Sequence, residues 1–176
     1  MSGHSKWAQI KHKKAKADGQ KSKVFSKFAK LIAIEARKAH GSMSNPGLKA
    51  VIERAKAENM PNDNIERAIK KATGENAAAL ETIVYESYGP GGVAIIIEAL
   101  TDNRNKAAQE IKHVLSSEGY ALAAAGSASW AFEKKDGALT AQTTIPLSDE
   151  DAGKLADLVE KLEDNEEVQN VYTNAQ

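Results

Sequence analysis

The chain has 176 residues, of which 41% are hydrophobic, 27% charged and 5% aromatic. This composition is typical of a globular protein and excludes a collagen-like or fully disordered chain. No apolar stretch approaches the roughly 18 residues that a membrane-spanning helix needs, and the basic start has no apolar segment of the secretory-signal kind. Cysteine is absent, which excludes disulfides, thiolate metal sites and a cysteine nucleophile.

The net charge is zero, but the two signs are segregated along the chain. Residues 1–71 contain 17 basic and 6 acidic side chains, whereas residues 72–176 contain 7 basic and 18 acidic ones. Such asymmetry predicts a basic segment that binds nucleic acid and a separate acidic module. The alternative is that the two halves neutralise each other within one molecule.

The first 73 residues are predicted to form a basic bundle of three to four helices. A weak helical pattern covers residues 5–16, and a stronger one begins at Ser22 and ends before Gly41. Asn45 followed by Pro46 is typical of a helix start. The apolar spacing after residue 61 predicts another short helix that ends at Gly74.

The pattern changes from helix to strand after a predicted linker at residues 74–81. Residues 82–176 have the order strand, strand, helix, strand, strand, helix, strand, and the last six elements match a ferredoxin-like fold with an extra leading strand. We therefore predict an α+β domain with a five-stranded sheet. In its fourth segment Trp130 and Phe132 alternate as in a half-buried strand, Asp136-Gly137 is a hairpin signal, and Leu139–Leu147 is the returning strand.

The strongest functional signal is the lysine-rich segment at the start of the chain. Phosphate neutralisation needs several cations without strict geometry, and lysine supplies them. Trp7 and His12 lie among the lysines and are candidates for stacking on unpaired bases. The alternative is a solvated helix face that Trp7 anchors to the bundle. Charge alone leaves DNA and RNA open as the target. The predicted nucleic-acid-binding residues are Gly3, His4, Ser5, Lys6, Trp7, Lys11, His12, Lys13, Lys14, Lys16, Lys21, Lys23 and Lys27.

A second set of residues is a weaker candidate for anion binding. The glycine-rich turn after Tyr88 lacks the Lys-Ser/Thr of a phosphate-binding loop and joins two strands, which favours a structural turn. The segment after Thr101 can hold an anion at a helix N-terminus or simply cap the helix. This possible second site consists of Tyr88, Gly89, Pro90, Gly91, Gly92, Asp102, Asn103, Arg104 and Asn105.

Enzyme and metal chemistry have little support in the sequence. None of the four histidines lies four residues from another beside a carboxylate, as a helical metal site requires. There is no Gly-x-Ser-x-Gly motif and no pair of carboxylates in an apolar setting. We therefore predict no catalytic residues, no metal and no cofactor.

Several motifs together resemble the YebC/PmpR family, which includes the mitochondrial translational activator of cytochrome c oxidase. The opening Ser2–Trp7 carries the resemblance, and it continues in five further segments. At position 87 the family usually has glycine where this chain has Ser87. The further segments are residues 10–14, 59–61 together with 65–70, 85–94, 100–105 and 164–174.

The resemblance implies a cytoplasmic, non-enzymatic regulator of gene expression that binds DNA in transcription. Some family members are described instead as ribosome-associated factors that relieve stalling on proline-rich stretches. That version implies ribosomal RNA contacts from the same lysines and a role for the glycine-rich turn near the peptidyl-transfer region. A further alternative is a protein-interaction module, in which the acidic half recruits a partner. A monomer without membrane contacts is favoured.

The resemblance also implies that a domain is missing. Family members of usual length carry another α+β domain after the strand equivalent to Ser129–Lys134. Here Lys135–Ala141 bridges directly to the next segment. Any function of the inserted domain is therefore in doubt for this chain.

Overall fold

The computed structural model describes Trp7 and residues 21–176, which form two compact units. Residues 21–81 form a helical unit, and residues 82–176 together with Trp7 form an α+β unit. Within these described residues, no helix is long and apolar enough to cross a membrane. The elements are α1 (Lys21–Lys38), α2 (Pro46–Ala57), α3 (Asn62–Thr73), β1 (Glu81–Tyr88), β2 (Ala94–Thr101), α4 (Arg104–Ser117), β3 (Leu122–Ala123), β4 (Phe132–Lys135), β5 (Ala138–Ala141), α5 (Asp149–Glu163) and β6 (Val168–Thr173).

Three helices build the helical unit around a small apolar core. α1 packs against both α2 and α3, because each helix carries apolar residues three and four positions apart. Ile32, Leu48 and Ile65 are buried in this core. The Arg54 guanidinium lies 5.7 Å from the centroid of the Phe28 ring, a cation–π contact between α2 and α1. The structure confirms the helical bundle for these three helices, and the predicted helix over residues 5–16 lies outside the described residues apart from Trp7.

Local sequence signals set the ends of these helices. The Asn45 side chain accepts a hydrogen bond from the Leu48 N–H at 3.1 Å, and Pro46 occupies the first helical position of α2. After α1, the Gly41 N–H donates to the Ala36 carbonyl at 2.9 Å. Gly41 has a φ of 77°, which glycine adopts without the steric cost of a Cβ atom. These helix ends confirm the predicted ones.

A four-stranded sheet lies at the centre of the α+β unit, in the order β3-β1-β2-β6. β1 pairs antiparallel with β3, and β2 pairs antiparallel with β6. One face of the sheet packs on α4 and α5. Alternate residues of β2 point to the same side of the sheet, and on this side they are apolar. Ile95, Ile97, Leu115, Leu158 and Trp7 belong to this core. The predicted α+β fold class is confirmed.

A two-stranded hairpin packs against the opposite face of the sheet. In β4 and β5, Lys135 pairs with Ala138, so Asp136 and Gly137 form a two-residue turn. Their φ values of 51° and 84° are those of a type I′ turn. Phe132 of the hairpin packs with Ile96 of β2 in a second, smaller core. The hairpin predicted from Asp136-Gly137 is therefore confirmed.

The predicted five-stranded sheet is wrong, because the hairpin strands form a separate sheet. The edge position beside β1 is taken by β3, which pairs Leu122 with Ser87. The Ser87 hydroxyl supports this edge by donating to the Ala121 carbonyl at 2.8 Å. A strand of two residues is too short to produce a periodic sequence pattern, so the prediction missed it.

The predicted limits of the hairpin strands also differ from the structure. Ser129–Ala131 is a turn of 3₁₀ helix rather than a strand, and Trp130 is exposed instead of half-buried. Glu86 causes this bend, because its carboxylate accepts the N–H groups that begin the turn. The returning strand stops at Ala141 instead of Leu147, because the residues that would pair with its continuation, Ser129–Ala131, are in the 3₁₀ turn and not extended.

Candidate nucleic-acid interface

Most of the predicted lysine-rich segment lies outside the described residues. Lys21 begins α1, and its side chain is also outside them. Lys23 and Lys27 are half-buried on α1, and each already interacts with another group. The predicted residues outside the described part are Gly3, His4, Ser5, Lys6, Lys11, His12, Lys13, Lys14 and Lys16.

Trp7 occupies a position that neither sequence interpretation anticipated. Its side chain is only 8% exposed and belongs to the core formed with β2, α4 and α5. It therefore packs with the α+β unit, although the predicted division at residue 73 assigned it to the helical bundle. An indole buried in this way has to leave the core before it can stack on a base, and that removes apolar surface from the core.

The lysines of α1 form a basic stripe on the helix surface. Lys23, Lys27 and Lys30 are spaced four and three residues apart and lie opposite the core residues Ile32 and Ala36. All three are half-buried and engaged with other groups. The stripe contributes positive charge, but its cations are not freely extended into solvent.

A second basic cluster lies on α3, and sequence reasoning missed it. Lys70 and Lys71 follow Arg67 by three and four residues, so the three share the helix face opposite the buried Ile65 and Ala68. All three are exposed, and none takes part in the ion pairs found among the described residues. We call these three residues the α3 basic cluster. The same periodicity that marked the helix core could have identified it, but the denser lysines near the N-terminus dominated the charge analysis.

The two units carry opposite charge. Residues 21–73 contain 12 basic and 5 acidic side chains, whereas residues 82–176 contain 7 basic and 16 acidic ones. The excess of positive charge on the helical unit makes the electrostatic potential around it positive. A positive potential attracts a polyanion within about one Debye length, 8–10 Å at physiological salt. The helical unit therefore carries the excess of positive charge in the described chain.

The glycine-rich turn between β1 and β2 is built into the packing of the α+β unit. Pro90 is buried, and a Cβ atom on Gly91 would lie 2.4 Å from Leu147 Cδ2 and 3.3 Å from a carboxylate oxygen of Asp151. Gly91 also has a φ of 69°. Close packing and a positive φ explain the glycine at this position, and the carboxylate beside it disfavours a bound phosphate.

The structure does not bring the two halves of the predicted second site together. The glycine-rich turn precedes β2, whereas Asp102–Asn105 follows it, so the strand separates them by roughly 23 Å. Asn103 caps α4 by accepting the Lys106 N–H at 3.0 Å. The Lys106 amine lies 3.3 Å from the buried Glu167, and this hydrogen bond and charge raise the pKa of Lys106. Capping and an internal ion pair therefore account for this end of α4.

Glu86 fixes a loop on the side of the sheet that faces the hairpin. Its buried carboxylate accepts N–H groups from Gly126, Ala128 and Ser129 at 2.7, 2.6 and 3.0 Å. Burial alone raises the pKa of this carboxyl, but the three donors outweigh burial and hold the pKa below its usual value. Among the described residues, no group of three or more acidic or histidine side chains could hold a metal ion.

Comparison with known proteins places every described element in one family. The TACO1/YebC protein N-terminal domain matches residues 5–75, and the TACO1/YebC second and third domain matches residues 80–139 and 136–175. The two latter matches meet at the β4–β5 hairpin. A conserved hypothetical protein of Aquifex aeolicus, solved by crystallography, superposes with a TM-score of 0.83 at 32% identity, covering 98% of this chain and 97% of that one.

Curated relatives carry the name probable transcriptional regulatory protein. One from Thermoanaerobacter pseudethanolicus is 39% identical over 239 aligned positions, covering all of this chain and 97% of the relative. That alignment is longer than the 176-residue chain, so the relative has residues with no counterpart here. Another, from Thermotoga maritima, is 53% identical over 137 residues, 77% of this chain but only 54% of the relative. The chain belongs to the TACO1/YebC family.

Proposed function

We propose that this protein is a nucleic-acid-binding regulator of gene expression, not an enzyme. The names of its relatives support a regulatory role. The observation that carries nucleic-acid binding is the concentration of positive charge on the helical unit, with the exposed α3 basic cluster outside every ion pair of the described residues. Flexible cations of this kind neutralise phosphates without requiring a fixed geometry.

The α3 basic cluster and the lysines of the N-terminal segment make up the proposed phosphate-binding surface. Phosphate contacts position a protein on nucleic acid and carry no sequence information themselves. The helical unit is therefore proposed to supply affinity and salt dependence. Duplex DNA is the expected target by analogy with the named relatives, and ribosomal RNA is the alternative that the family resemblance raised.

Charge reversal of the α3 basic cluster tests this proposal. The variant Arg67→Glu/Lys70→Glu/Lys71→Glu is compared with Lys112→Glu/Lys154→Glu/Lys161→Glu, which changes the net charge equally but on the α+β unit. Affinities for duplex DNA and for single-stranded RNA are measured as a function of salt. Because each lost phosphate contact removes about 0.9 from the slope of log affinity against log salt, the first variant should flatten that slope by two to three units on duplex DNA.

The matched variant should leave the salt slope nearly unchanged. Equal loss in both variants would mean that net charge alone governs binding, and the assignment to α3 would be wrong. A slope near zero for the unaltered protein on both nucleic acids would remove the proposed function.

A further inference from the structure

Tyr88 and Trp130 form an exposed aromatic pair on the α+β unit, and we call this pair the aromatic platform. Trp130 is 55% exposed and Tyr88 is 37% exposed. The Trp130 indole N–H donates to the Tyr88 hydroxyl at 3.0 Å, and the Tyr88 hydroxyl donates to the Ser127 carbonyl. Each polar atom of the pair therefore has a partner inside the protein, and what the pair offers to solvent is aromatic surface.

The platform is held in place before any ligand arrives. The three N–H groups bound by Glu86 belong to the loop that leads directly into Trp130. On the other side, Ala131 and Phe132 are buried in the smaller core. An exposed tryptophan fixed from both sides loses little conformational freedom on binding, and this preorganisation favours a ligand that needs a rigid surface.

The surroundings of the platform suit a flat ligand. Ala124, Ala125 and Gly126, which precede Ser127 in the chain, are exposed and small, and the aromatic side chains are themselves 55% and 37% exposed. A protein partner commonly uses the N–H of a tryptophan or the hydroxyl of a tyrosine, and both are already occupied here. A nucleobase needs neither group, because it stacks on an aromatic face through its own π surface.

Two lysines near the platform can attract the phosphates on either side of a stacked base. Lys134 and Lys135 are exposed, and they lie outside all ion pairs of the described chain. Lys134 follows Trp130 by four residues, which limits their separation to about 14 Å. They supply two exposed cations in a unit that is otherwise acidic, with Glu133 and Asp136 on either side of them in the chain.

We propose that Tyr88 and Trp130 form a binding site on which an unpaired base of single-stranded nucleic acid stacks, with Lys134 and Lys135 attracting its phosphates. This site rests on the proposed function, since it adds a base contact to the phosphate contacts of the helical unit. A duplex keeps its bases stacked inside the helix, so the platform favours single-stranded regions and supports the RNA alternative of the proposed function over duplex DNA.

Tryptophan fluorescence tests the stacking directly, because the chain has only two tryptophans. The full chain and the Trp130→Phe variant are titrated with a single-stranded oligouridylate of about 12 nucleotides. Stacking should quench the emission of the full chain and leave that of Trp130→Phe, which reports buried Trp7 alone, nearly unchanged. Heparin and a DNA duplex, which offer charge without unpaired bases, should cause little quenching in either protein.

Affinity for the same fluorescently labelled oligouridylate provides the second measurement. Trp130→Ala should weaken binding about 5- to 150-fold, the effect of losing one aromatic stacking contact. Trp130→Phe should restore most of the affinity, because it keeps an aromatic face. Val84→Ala is the matched control, since Val84 is 52% exposed on β1 and lies outside the platform, and its affinity should be unchanged.

The outcomes separate this proposal from the proposed function. Tight binding of the oligouridylate with no loss in Trp130→Ala, or equal quenching by heparin, would overturn the platform and leave nucleic-acid binding intact. Such a result would point to a protein as the ligand of the aromatic pair. Failure of the unaltered chain to bind either the oligouridylate or the duplex would contradict both the aromatic platform and the proposed function.

Discussion

At the scale of single residues, Glu86 is the side chain whose role is clearest. It is a buried carboxylate without a cation partner in the described ion pairs, and three backbone N–H groups stabilise its charge instead. Hydrogen bonds to a charged acceptor are stronger than those to a neutral one. Glu86 therefore links β1 to the loop that carries Trp130.

We expect Glu86→Gln to lower the free energy of unfolding by about 1.5–3 kcal/mol near neutral pH. The amide has one acceptor oxygen, and its NH₂ group would face the backbone donors that the carboxylate accepts. Chemical denaturation of both proteins measures the difference.

The pH dependence provides an independent check on the same substitution. The folded pKa of Glu86 is lowered, so its contribution to stability is complete above the carboxyl's unfolded pKa of about 4.3 and disappears as the pH falls through the folded value. The stability difference between the two proteins should therefore shrink on acidification below about pH 4. A constant difference across this range would show that charge is not what Glu86 contributes.

The two tryptophans, Trp7 and Trp130, also lie in environments that differ from those predicted. Sequence reasoning proposed Trp7 for base stacking, or for anchoring the basic segment to the bundle, and placed Trp130 in a half-buried strand. The structure buries Trp7 in the α+β core and exposes Trp130. Alternation along residues 128–132 depends on extended backbone. That condition fails where the N–H groups of Ala128 and Ser129 donate to Glu86, which lies 42 and 43 positions away in the chain.

At the scale of elements, the β4–β5 hairpin shows what local sequence alone can predict. Asp136-Gly137 specified its two-residue turn correctly, because both residues tolerate positive φ. The two family-model matches on the α+β unit meet at this turn. The turn closes the two strands directly, and the absence of a further domain of longer relatives stays a prediction.

Two glycine-to-alanine substitutions distinguish the effect of backbone strain on stability from the effect of steric overlap. Gly137 in the turn and Gly153 in α5 both have open space where a Cβ would lie, but Gly137 has a φ of 84° and Gly153 is helical. We expect Gly137→Ala to destabilise the protein by about 1–2 kcal/mol, since an L-residue is strained there. Gly153→Ala should stabilise it by about 0.5–1 kcal/mol, because alanine loses less entropy in a helix.

Thermal unfolding of both variants beside the unaltered chain gives these values. Equal effects of the two substitutions would mean that the turn is not held in the type I′ conformation.

The α3 basic cluster also depends on an element, because its three residues form one surface only when residues 62–73 are helical.

At the scale of the whole molecule, Trp7 is buried in the core of residues 82–176, although it lies far from them in the sequence. The boundary predicted at residues 74–81 stays a prediction. Within the helical unit, the Arg37 guanidinium donates to the carbonyls of Ala77 and Ala78 at 3.1 and 2.8 Å, so part of this segment is held against the end of α1. Sequence pattern alone had treated it as a free linker.

We expect Trp7→Ala to destabilise the α+β unit by about 3–5 kcal/mol, the cost of truncating a large buried aromatic side chain. Hydrogen exchange locates the effect: amide protection should fall in β2, α4 and α5 and change little in α1–α3. Trp130→Ala is the control, since it makes the same substitution at the other tryptophan. It should leave the amide protection of β2 and α5 intact, because Trp130 is exposed. Loss of protection confined to the helical unit would contradict the placement of Trp7.

The sequence by itself determined the α+β class, the helices with their caps, the hairpin turn and the segregation of charge. These properties depend on residues within a few positions of one another, so local spacing and turn chemistry are sufficient to predict them. Tertiary structure alone decided that the hairpin leaves the sheet, that the glycine-rich turn and Asp102–Asn105 lie at opposite ends of β2, and which tryptophan is exposed. Each of these depends on contacts between residues far apart in the chain, such as Glu86 with Ala128 or Trp7 with Leu158, and no local pattern encodes such contacts.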